Sequence, residues 1–318
     1  MDIFWSTLNQ LGFLFSLILV GFLLVKCKVL TGNAANILAK IENVILIPAM
    51  VLGAFIKNFT LEGLKTSWQP LLLCAVVLLL TIPLAFLFAH FLEKDVYHKR
   101  ISTFVLIFSN YGFMGNTIML AIFPDYFYEY IIFTLPLHVL TYMWGAPALL
   151  IADATGEKRP LSAKIKAFFN PMIVAVLIGM IVGITGLGKI LPKWVNLTID
   201  SSTDCMAPVG MILTGITVSD IKFKEMLKNW RIYVVSLLRL VVIPLLFIGL
   251  FKLNEILGWI PLGKSLVACT VCMLSMPLGL NAVIIPRAYD KNTDAAAGMV
   301  ILSHVLSIVT IPLVFMLL

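Results

Sequence analysis

Charged residues are scarce in this chain, and their scarcity excludes a soluble fold. Only 12% of its 318 residues are Asp, Glu, Lys or Arg, whereas 61% are hydrophobic, and the mean hydropathy is +1.04. Soluble domains carry about twice that fraction of charge. No soluble core could bury so much apolar surface, so we expect lipid to be the solvent.

Several motifs that carry chemistry are also missing. The sequence has no GxxxxGK[ST] phosphate loop, no DDxxD and no HExxH. Its five cysteines fall mostly inside apolar runs, and Cys269 and Cys272 form a CxxC with no second pair. Such a lone pair is more often helix packing than a metal or redox site. We therefore expect no cofactor, no ATP hydrolysis and no enzyme activity, and the dispersed basic residues do not suggest a nucleic-acid partner.

What the chain has in abundance is long apolar runs of about 20 residues, the length that crosses a bilayer. We expect ten transmembrane helices joined by short connections, and the first run is interpreted as a retained span rather than a signal peptide. The predicted spans are 5–25, 37–56, 70–92, 101–123, 128–150, 170–191, 197–219, 231–251, 264–286 and 294–317.

Lysine and arginine distribute unequally between alternate connections. One set carries 15 of them and the other carries 6, which places the richer set in the cytoplasm and both termini outside. Five spans per half is an odd number, so the second half enters the membrane from the opposite side. The sequence therefore predicts two inverted five-helix repeats, residues 1–151 and 170–318, joined by a cytoplasmic linker at 152–169.

Matching segments in the two halves support the repeat. Ile82–Leu84 in the first half matches Ile243–Leu245 in the second, 161 positions later, and His138 matches His304, 166 positions later. Internal repeats of membrane spans are typical of transporters, whose site lies where the copies meet.

The fourth and ninth spans carry Gly, Asn and Pro where ordinary spans carry Leu. We expect both helices to break at mid-membrane, within Ser109–Thr117 and Ser275–Ala282. Unpaired backbone is tolerated there only where it lines a cavity or is buried in protein. Two helix starts facing each other would form an anion site without a charged side chain. The alternative is that these residues merely serve helix packing.

At these residues the chain resembles the auxin efflux carrier family, which includes bacterial malate permeases. The matching segments are 110–116 (NYGFMGN), 276–281 (MPLGLN), 207–210 (APVG) and 310–312 (TIP). One departure is Thr117, which stands near a position where the family usually has proline, so a break in the fourth span would there depend on Gly112 and Gly115 alone.

The resemblance implies an architecture and a function. The fourth and ninth helices are expected to cross, with substrate at the crossing. Spans 1, 2, 6 and 7 would form a dimerising scaffold, and spans 3–5 and 8–10 would move as an elevator. The expected function is secondary transport of a small organic anion such as malate across a prokaryotic plasma membrane.

Candidate site residues follow from these patterns. Arg239 lies deep in the eighth span, where arginine is costly and usually has a task; it could attract a carboxylate, clamp neighbouring helices or snorkel to the headgroups. The substrate-binding candidates are Asn110, Gly112, Gly115, Asn116, Thr117, Pro277, Gly279, Asn281 and Arg239.

A second group could bind a coupling ion, either Na⁺ or H⁺. His138 and His304 change charge near neutral pH, and Glu42 and Asp204 enter the second and seventh spans. For each of them a local hydrogen bond or ion pair is the simpler alternative.

Other functions remain open at this stage. A sodium-coupled carrier of a larger amphipathic acid, such as a bile acid or an auxin-like acid, could share the fold. A non-transporting membrane sensor or channel could as well. An intramembrane transferase would need clustered carboxylates or histidines, which the sequence does not show.

Overall fold

The computed structural model describes residues 2–31, 34–59, 67–151, 171–219, 228–287 and 291–318. Within these ranges all regular structure is helical, which confirms the all-α prediction, and the one departure is an isolated antiparallel bridge between Ser109 and Leu278. The expected linker at 152–169 lies outside the described residues.

The described residues form twelve helices of seven residues or more. They are α1 (Asp2–Lys26), α2 (Ala34–Asn58), α3 (Trp68–Leu92), α4 (Val96–Ile107), α5 (Tyr111–Ile122), α6 (Pro124–Ile151), α7 (Pro171–Thr185), α8 (Lys193–Ser219), α9 (Trp230–Leu257), α10 (Lys264–Ser275), α11 (Asn281–Arg287) and α12 (Asp294–Phe315).

Six helices in the described part of the chain are long and apolar enough to cross a membrane: α1, α2, α3, α6, α9 and α12. The predicted fourth span is divided into α4 and α5, and the ninth into α10 and α11. The predicted sixth span contains the 15-residue α7, and the seventh is the 27-residue α8, which is not among the six. A total of ten spans and an inverted repeat remain predictions.

Two long helices widen into a π-helical segment just before a proline. Glu42–Leu46 precedes Pro48 in α2, and Leu238–Val242 precedes Pro244 in α9. Proline has no backbone N–H and its ring clashes with the carbonyl four residues earlier. A local shift to the wider hydrogen-bond pattern accommodates both effects. Each widened segment contains a fully buried ionisable side chain, Glu42 in α2 and Arg239 in α9.

The chain divides into two compact units. Unit 1 comprises Met1–Phe13, Leu72–Glu157 and Asp220–Leu318, and unit 2 comprises Leu14–Leu71 and Lys158–Ser219. Unit 2 therefore holds most of α1 together with α2, α7 and α8, the segments that the resemblance assigns to a scaffold. Unit 1 holds the segments that the resemblance assigns to a moving body.

The core of unit 1 is aromatic and lies around the two divided helices. Phe104, Phe108, Tyr130, Phe133 and Phe247 are at most 2% exposed. Large aromatic side chains dominate the energetics of such cores because each buries an extensive apolar area.

Unit 2 packs through small residues that let helices approach closely. A Cβ atom added to Gly21 or Gly215 would collide with the backbone of the facing helix, at Ile212 and Ile18 respectively. Small residues at helix contacts are typical of membrane proteins because close backbone approach increases van der Waals packing. The close contact between α1 and α8 thus depends on glycine.

Candidate functional site

The two divided helices meet at their breaks, inside unit 1. Ser109 and Leu278 form an antiparallel bridge, and the Asn110 backbone N–H donates to the Pro277 carbonyl over 2.7 Å. The Ser109 hydroxyl donates to the Met273 carbonyl over 2.9 Å. Each break therefore supplies hydrogen bonds that the other has lost, as buried backbone requires. We call this region, residues 107–112 and 275–281, the crossing.

The break in the ninth span has a local cause. Met276 is extended (φ −66°, ψ 143°) and ends α10, as expected for a residue that precedes a proline, because Pro277 disfavours the α conformation before it. Gly279 is required by proximity: its Cβ would lie 2.9 Å from the Phe108 carbonyl oxygen. The sequence prediction for this span is thus confirmed in position.

The break in the fourth span lies at the N-terminal edge of the predicted stretch Ser109–Thr117. α4 ends at Ile107, Phe108 is extended (φ −104°, ψ 96°), and helix resumes at Tyr111. Placing the break at Gly112, Gly115 or Thr117 was wrong, since all three lie in α5. The reason is tertiary, because the partner backbone at the crossing stabilises an interruption that contains neither proline nor glycine.

Arg239 clamps the two half-helices that end at the crossing. Its side chain is fully buried, and its two terminal nitrogens donate to the carbonyls of Leu106 (2.8 Å) and Met273 (2.9 Å). These carbonyls lie in the last turns of α4 and α10, where a helix leaves acceptors unpaired and carries partial negative charge. One guanidinium thus satisfies both ends, which is the clamp interpretation among the three raised by the sequence.

His304 and Asn110 join α12 to the crossing. The His304 Nδ1 atom lies 2.7 Å from the Val300 carbonyl oxygen, and its Nε2 atom lies 3.1 Å from Asn110 Nδ2. The Oδ1 atom of Asn110 is buried and has no hydrogen-bond partner among the described residues. Asn110 is 2% exposed, so this acceptor points into the protein rather than into solvent.

His138, in α6, lies beside the first turn of α5. Its ring packs edge-on against Tyr111, with 4.8 Å between centroids, and it borders Gly112, where an added Cβ would lie 3.6 Å from the imidazole carbon. Its Nδ1 atom is buried without a partner in the described part of the chain. The structure therefore brings both predicted histidines to the crossing, on opposite helices.

The polar residues at the start of α5 use their donors within the helix. Asn116 Nδ2 donates to the Gly112 carbonyl over 2.7 Å, and the Thr117 hydroxyl donates to the Phe113 carbonyl over 2.9 Å. The Tyr130 hydroxyl approaches α5 at Gly115, and a Cβ atom at this position would collide with it. These residues shape the backbone of α5, and the Asn116 and Thr117 side chains each donate to a carbonyl of their own helix.

In α11 the first residue is Asn281, which is partly exposed and hydrogen-bonds with the hydroxyl of Tyr142. It lies beside Pro277 and Gly279 in sequence, at the point where helix resumes. Asn281 is thus the predicted polar contact that retains a solvent-accessible side chain at the crossing.

Two predicted coupling residues belong to unit 2. Glu42 is fully buried in the π-helical segment of α2, and neither carboxyl oxygen has a hydrogen-bond partner among the described residues. Asp204 lies exposed on α8, and one turn earlier Asp200 pairs with Lys57 at 2.8 Å. Glu42 therefore has an unsatisfied buried carboxyl, whereas Asp204 lies on an outer face.

Cysteines and metal ligands give no additional site in the described residues. All five cysteines are free, with Cys269 and Cys272 buried on α10. No group of three His, Cys, Asp or Glu is placed to hold a metal ion within the described ranges. The interpretation of the CxxC as helix packing remains a prediction.

Sequence reasoning missed several contributors to the crossing. Ser303 accepts from the Leu278 backbone N–H at 3.1 Å, and Tyr130 donates its hydroxyl to the Tyr111 carbonyl at 3.1 Å. Met273 provides the carbonyl shared by Ser109 and Arg239. None of these carries a local signal, because each acts through a contact with a residue distant in the chain.

Comparisons with known proteins extend over nearly the whole chain. The family model described as "Membrane transport protein" matches residues 6–160 and 157–315. An uncharacterized transporter of Methanothermobacter thermautotrophicus is 25% identical over 304 residues, covering 93% of each chain.

Proposed function

Because the chain belongs to the membrane transport protein family, to which the auxin efflux carriers also belong, we propose that it is a secondary active transporter of a small organic anion, with malate as the type substrate. The observation that carries the proposal is the crossing, where two interrupted helices exchange backbone hydrogen bonds. Interrupted helices that line a site are a recurring device of secondary transporters.

The charge distribution around the crossing favours an anion. Residues 101–123 and 265–286 contain no Asp, Glu, Lys or Arg. The buried guanidinium of Arg239 donates to a carbonyl of each half-helix. A site with one buried cation and no carboxylate attracts a negatively charged ligand.

The polar groups offered to a ligand are amides. Asn281 is partly exposed at the start of α11, and Asn110 is buried with an unsatisfied Oδ1. We propose that these two side chains orient the substrate, and that Gly112, Gly115, Asn116, Thr117, Pro277 and Gly279 shape the backbone around it.

We further propose elevator-type alternating access. Every residue of the crossing belongs to unit 1, and the segments expected to form a scaffold belong to unit 2. A site contained within one compact body can be carried across the membrane without being dismantled. A homodimer through the segments of unit 2, in a prokaryotic plasma membrane with both termini outside, completes the proposal.

The coupling ion is proposed to be H⁺ or Na⁺. Glu42 supports a cation site in unit 2, because an unpartnered buried carboxyl is costly unless it binds a proton or a cation. His138 and His304 are the candidates within unit 1. Asp204 is a weaker one, since it lies exposed.

Counterflow of labelled malate in proteoliposomes tests the function, and Asn281→Ala tests the site. Loss of a hydrogen bond to a charged ligand costs about 1.5–3 kcal/mol, so the apparent affinity should fall about 10–100-fold. Asn58→Ala is the matched control, because the Asn58 amide donates to a carbonyl of its own helix in unit 2.

Three results would decide between the alternatives. The expected outcome is saturable counterflow whose apparent affinity falls about 10–100-fold in Asn281→Ala and is preserved in Asn58→Ala. Unchanged counterflow in Asn281→Ala would refute the site. Absence of counterflow for every small carboxylate tested, in protein that remains folded, would contradict the transport proposal and favour a sensor. Sodium dependence of uptake distinguishes a sodium-coupled carrier.

A further inference from the structure

The His304 ring is hydrogen-bonded at both nitrogens, and one of the two bonds fixes its tautomer. The Val300 carbonyl oxygen, 2.7 Å from Nδ1, can accept a hydrogen bond but cannot donate one. Nδ1 must therefore carry the hydrogen. In the neutral ring Nε2 is then an acceptor, and Asn110 must present its NH₂ group across the 3.1 Å contact.

Protonation of His304 would reverse this contact. With a hydrogen on Nε2, the ring would face the Asn110 NH₂ group donor to donor, which is repulsive. Rotation of the Asn110 amide by a half-turn restores the bond by turning Oδ1 toward the ring. The same rotation places the NH₂ group where the unpartnered Oδ1 now lies. The protonation state of His304 thus determines whether Asn110 offers its free end as an acceptor or as a donor.

We propose that His304 couples one proton to each bound anion through this rotation of Asn110. A carboxylate accepts hydrogen bonds and cannot donate them, so it binds the free end of Asn110 only when His304 is protonated. The inference depends on the proposed function, because it assumes that an anion binds at the crossing. It identifies the coupling ion as H⁺ and assigns His304 as a positioning residue that acts through Asn110.

The charge balance of the surroundings favours joint binding. Packed against α12 are the segments Val96–Ile107, Trp230–Val242, Lys264–Ser275 and Asn281–Arg287. Their titratable and charged side chains, among those described, are Tyr97, His98, Lys99, Arg100, Arg231, Tyr233, Arg239, Lys264, Cys269 and Cys272.

None of these four segments contains Asp or Glu. On α12 itself the acidic residue is Asp294, ten positions from His304, or about 15 Å along the helix. A buried imidazolium without a counter-charge is costly. The substrate carboxylate is therefore the counter-charge that His304 requires, so the proton and the anion stabilise each other.

Malate binding to the purified protein, measured by calorimetry between pH 6 and 8, tests the coupling. Uptake of one proton per anion makes the dissociation constant about tenfold weaker for each unit of pH above the pKa of the free ring. The measured heat should also vary with the ionisation enthalpy of the buffer. His304→Gln should bind malate with little pH dependence, whereas His90→Gln, which changes an exposed histidine at the end of α3, should keep the slope of the unmodified protein.

A second measurement follows the protonation of His304 directly, in the unmodified protein. In protein labelled with ¹⁵N-histidine, malate should convert the Nε2 resonance of His304 from the unprotonated to the protonated position at constant pH. A pH-independent affinity, a slope that survives in His304→Gln, or an unchanged Nε2 resonance on binding would overturn the inference and leave the proposed function intact. Failure of malate and other small carboxylates to bind at any pH would instead refute the proposed function, and the inference with it.

Discussion

Replacement of Arg239 by methionine should loosen the crossing, and the contacts determine by how much. The substitution keeps a side chain of similar length but removes the Arg239 donor from the buried Leu106 carbonyl and leaves the Met273 carbonyl with the Ser109 hydroxyl alone. An unsatisfied buried acceptor costs about 1–3 kcal/mol, and loss of a hydrogen bond from a charged group costs about 1.5–3 kcal/mol. Removal of a buried guanidinium relieves part of this cost, because the charge no longer has to be desolvated. We expect a net loss of about 2–4 kcal/mol.

Thermal unfolding of the purified protein measures this loss. At roughly 2–4 °C per kcal/mol for a chain of this size, the Tm should fall by about 5–15 °C. The Tm of Arg239→Lys should lie between those of Arg239→Met and the unmodified protein. An ammonium group keeps the charge but cannot bridge two carbonyls with a planar fork. Lys252→Met, which removes an exposed charge from the same helix, should change the stability by about 0.5 kcal/mol or less.

Hydrogen exchange locates the effect. The Asn110 backbone N–H, which donates to the Pro277 carbonyl, should exchange faster in Arg239→Met, while amides of unit 2 should not change. Unaltered exchange at the crossing, together with a stability within about 0.5 kcal/mol of the unmodified protein, would refute the clamp interpretation.

Two further predictions concern single positions. Gly279→Ala places a Cβ 2.9 Å from the Phe108 carbonyl oxygen and should destabilise the protein by about 1–3 kcal/mol, whereas Gly249→Ala, with no atom within 4 Å, should be neutral or stabilising. Asp95 caps α4 by accepting from the His98 backbone N–H, which lowers the pKa of its carboxyl below the ordinary 3.8. The stabilisation by the Asp95 cap is present above pH 3.8 and is lost as the pH falls through the lowered pKa. Asp95→Asn should therefore reduce the fall of the Tm at acidic pH. An unchanged fall of the Tm at acidic pH in this variant would contradict the assignment.

Local sequence was sufficient to predict the break in the ninth span. Pro277 restricts Met276 to an extended conformation, and a glycine two residues later permits the close approach of another backbone. Both effects act within a few residues, so they can be recognised without coordinates. The helical class follows in the same way from composition, because in lipid only helices and closed barrels satisfy their own backbone.

For the fourth span, the sequence did not show where the helix breaks or which residues stabilise the break. The break at Phe108–Asn110 is stabilised by Leu278, Pro277 and the Arg239 guanidinium, all more than 100 positions away. Asn116 and Thr117 suggested free polar groups at mid-membrane, but each donates to a carbonyl four residues earlier. Side chains of this kind often form that bond in helices, and sequence alone does not show whether a ligand or the helix takes the donor.

The ends of the four half-helices explain why the crossing needs a buried cation. A helix terminus carries roughly half an elementary charge, positive at its start and negative at its end. The ends of α4 and α10 and the starts of α5 and α11 therefore sum to about zero, which gives no preference for either sign of ligand. Arg239 donates to the two ends and offsets their negative charge, so the two starts are left uncompensated. Under the proposed function, the residue that closes the fold at the crossing would also be the residue that makes the crossing attractive to an anion.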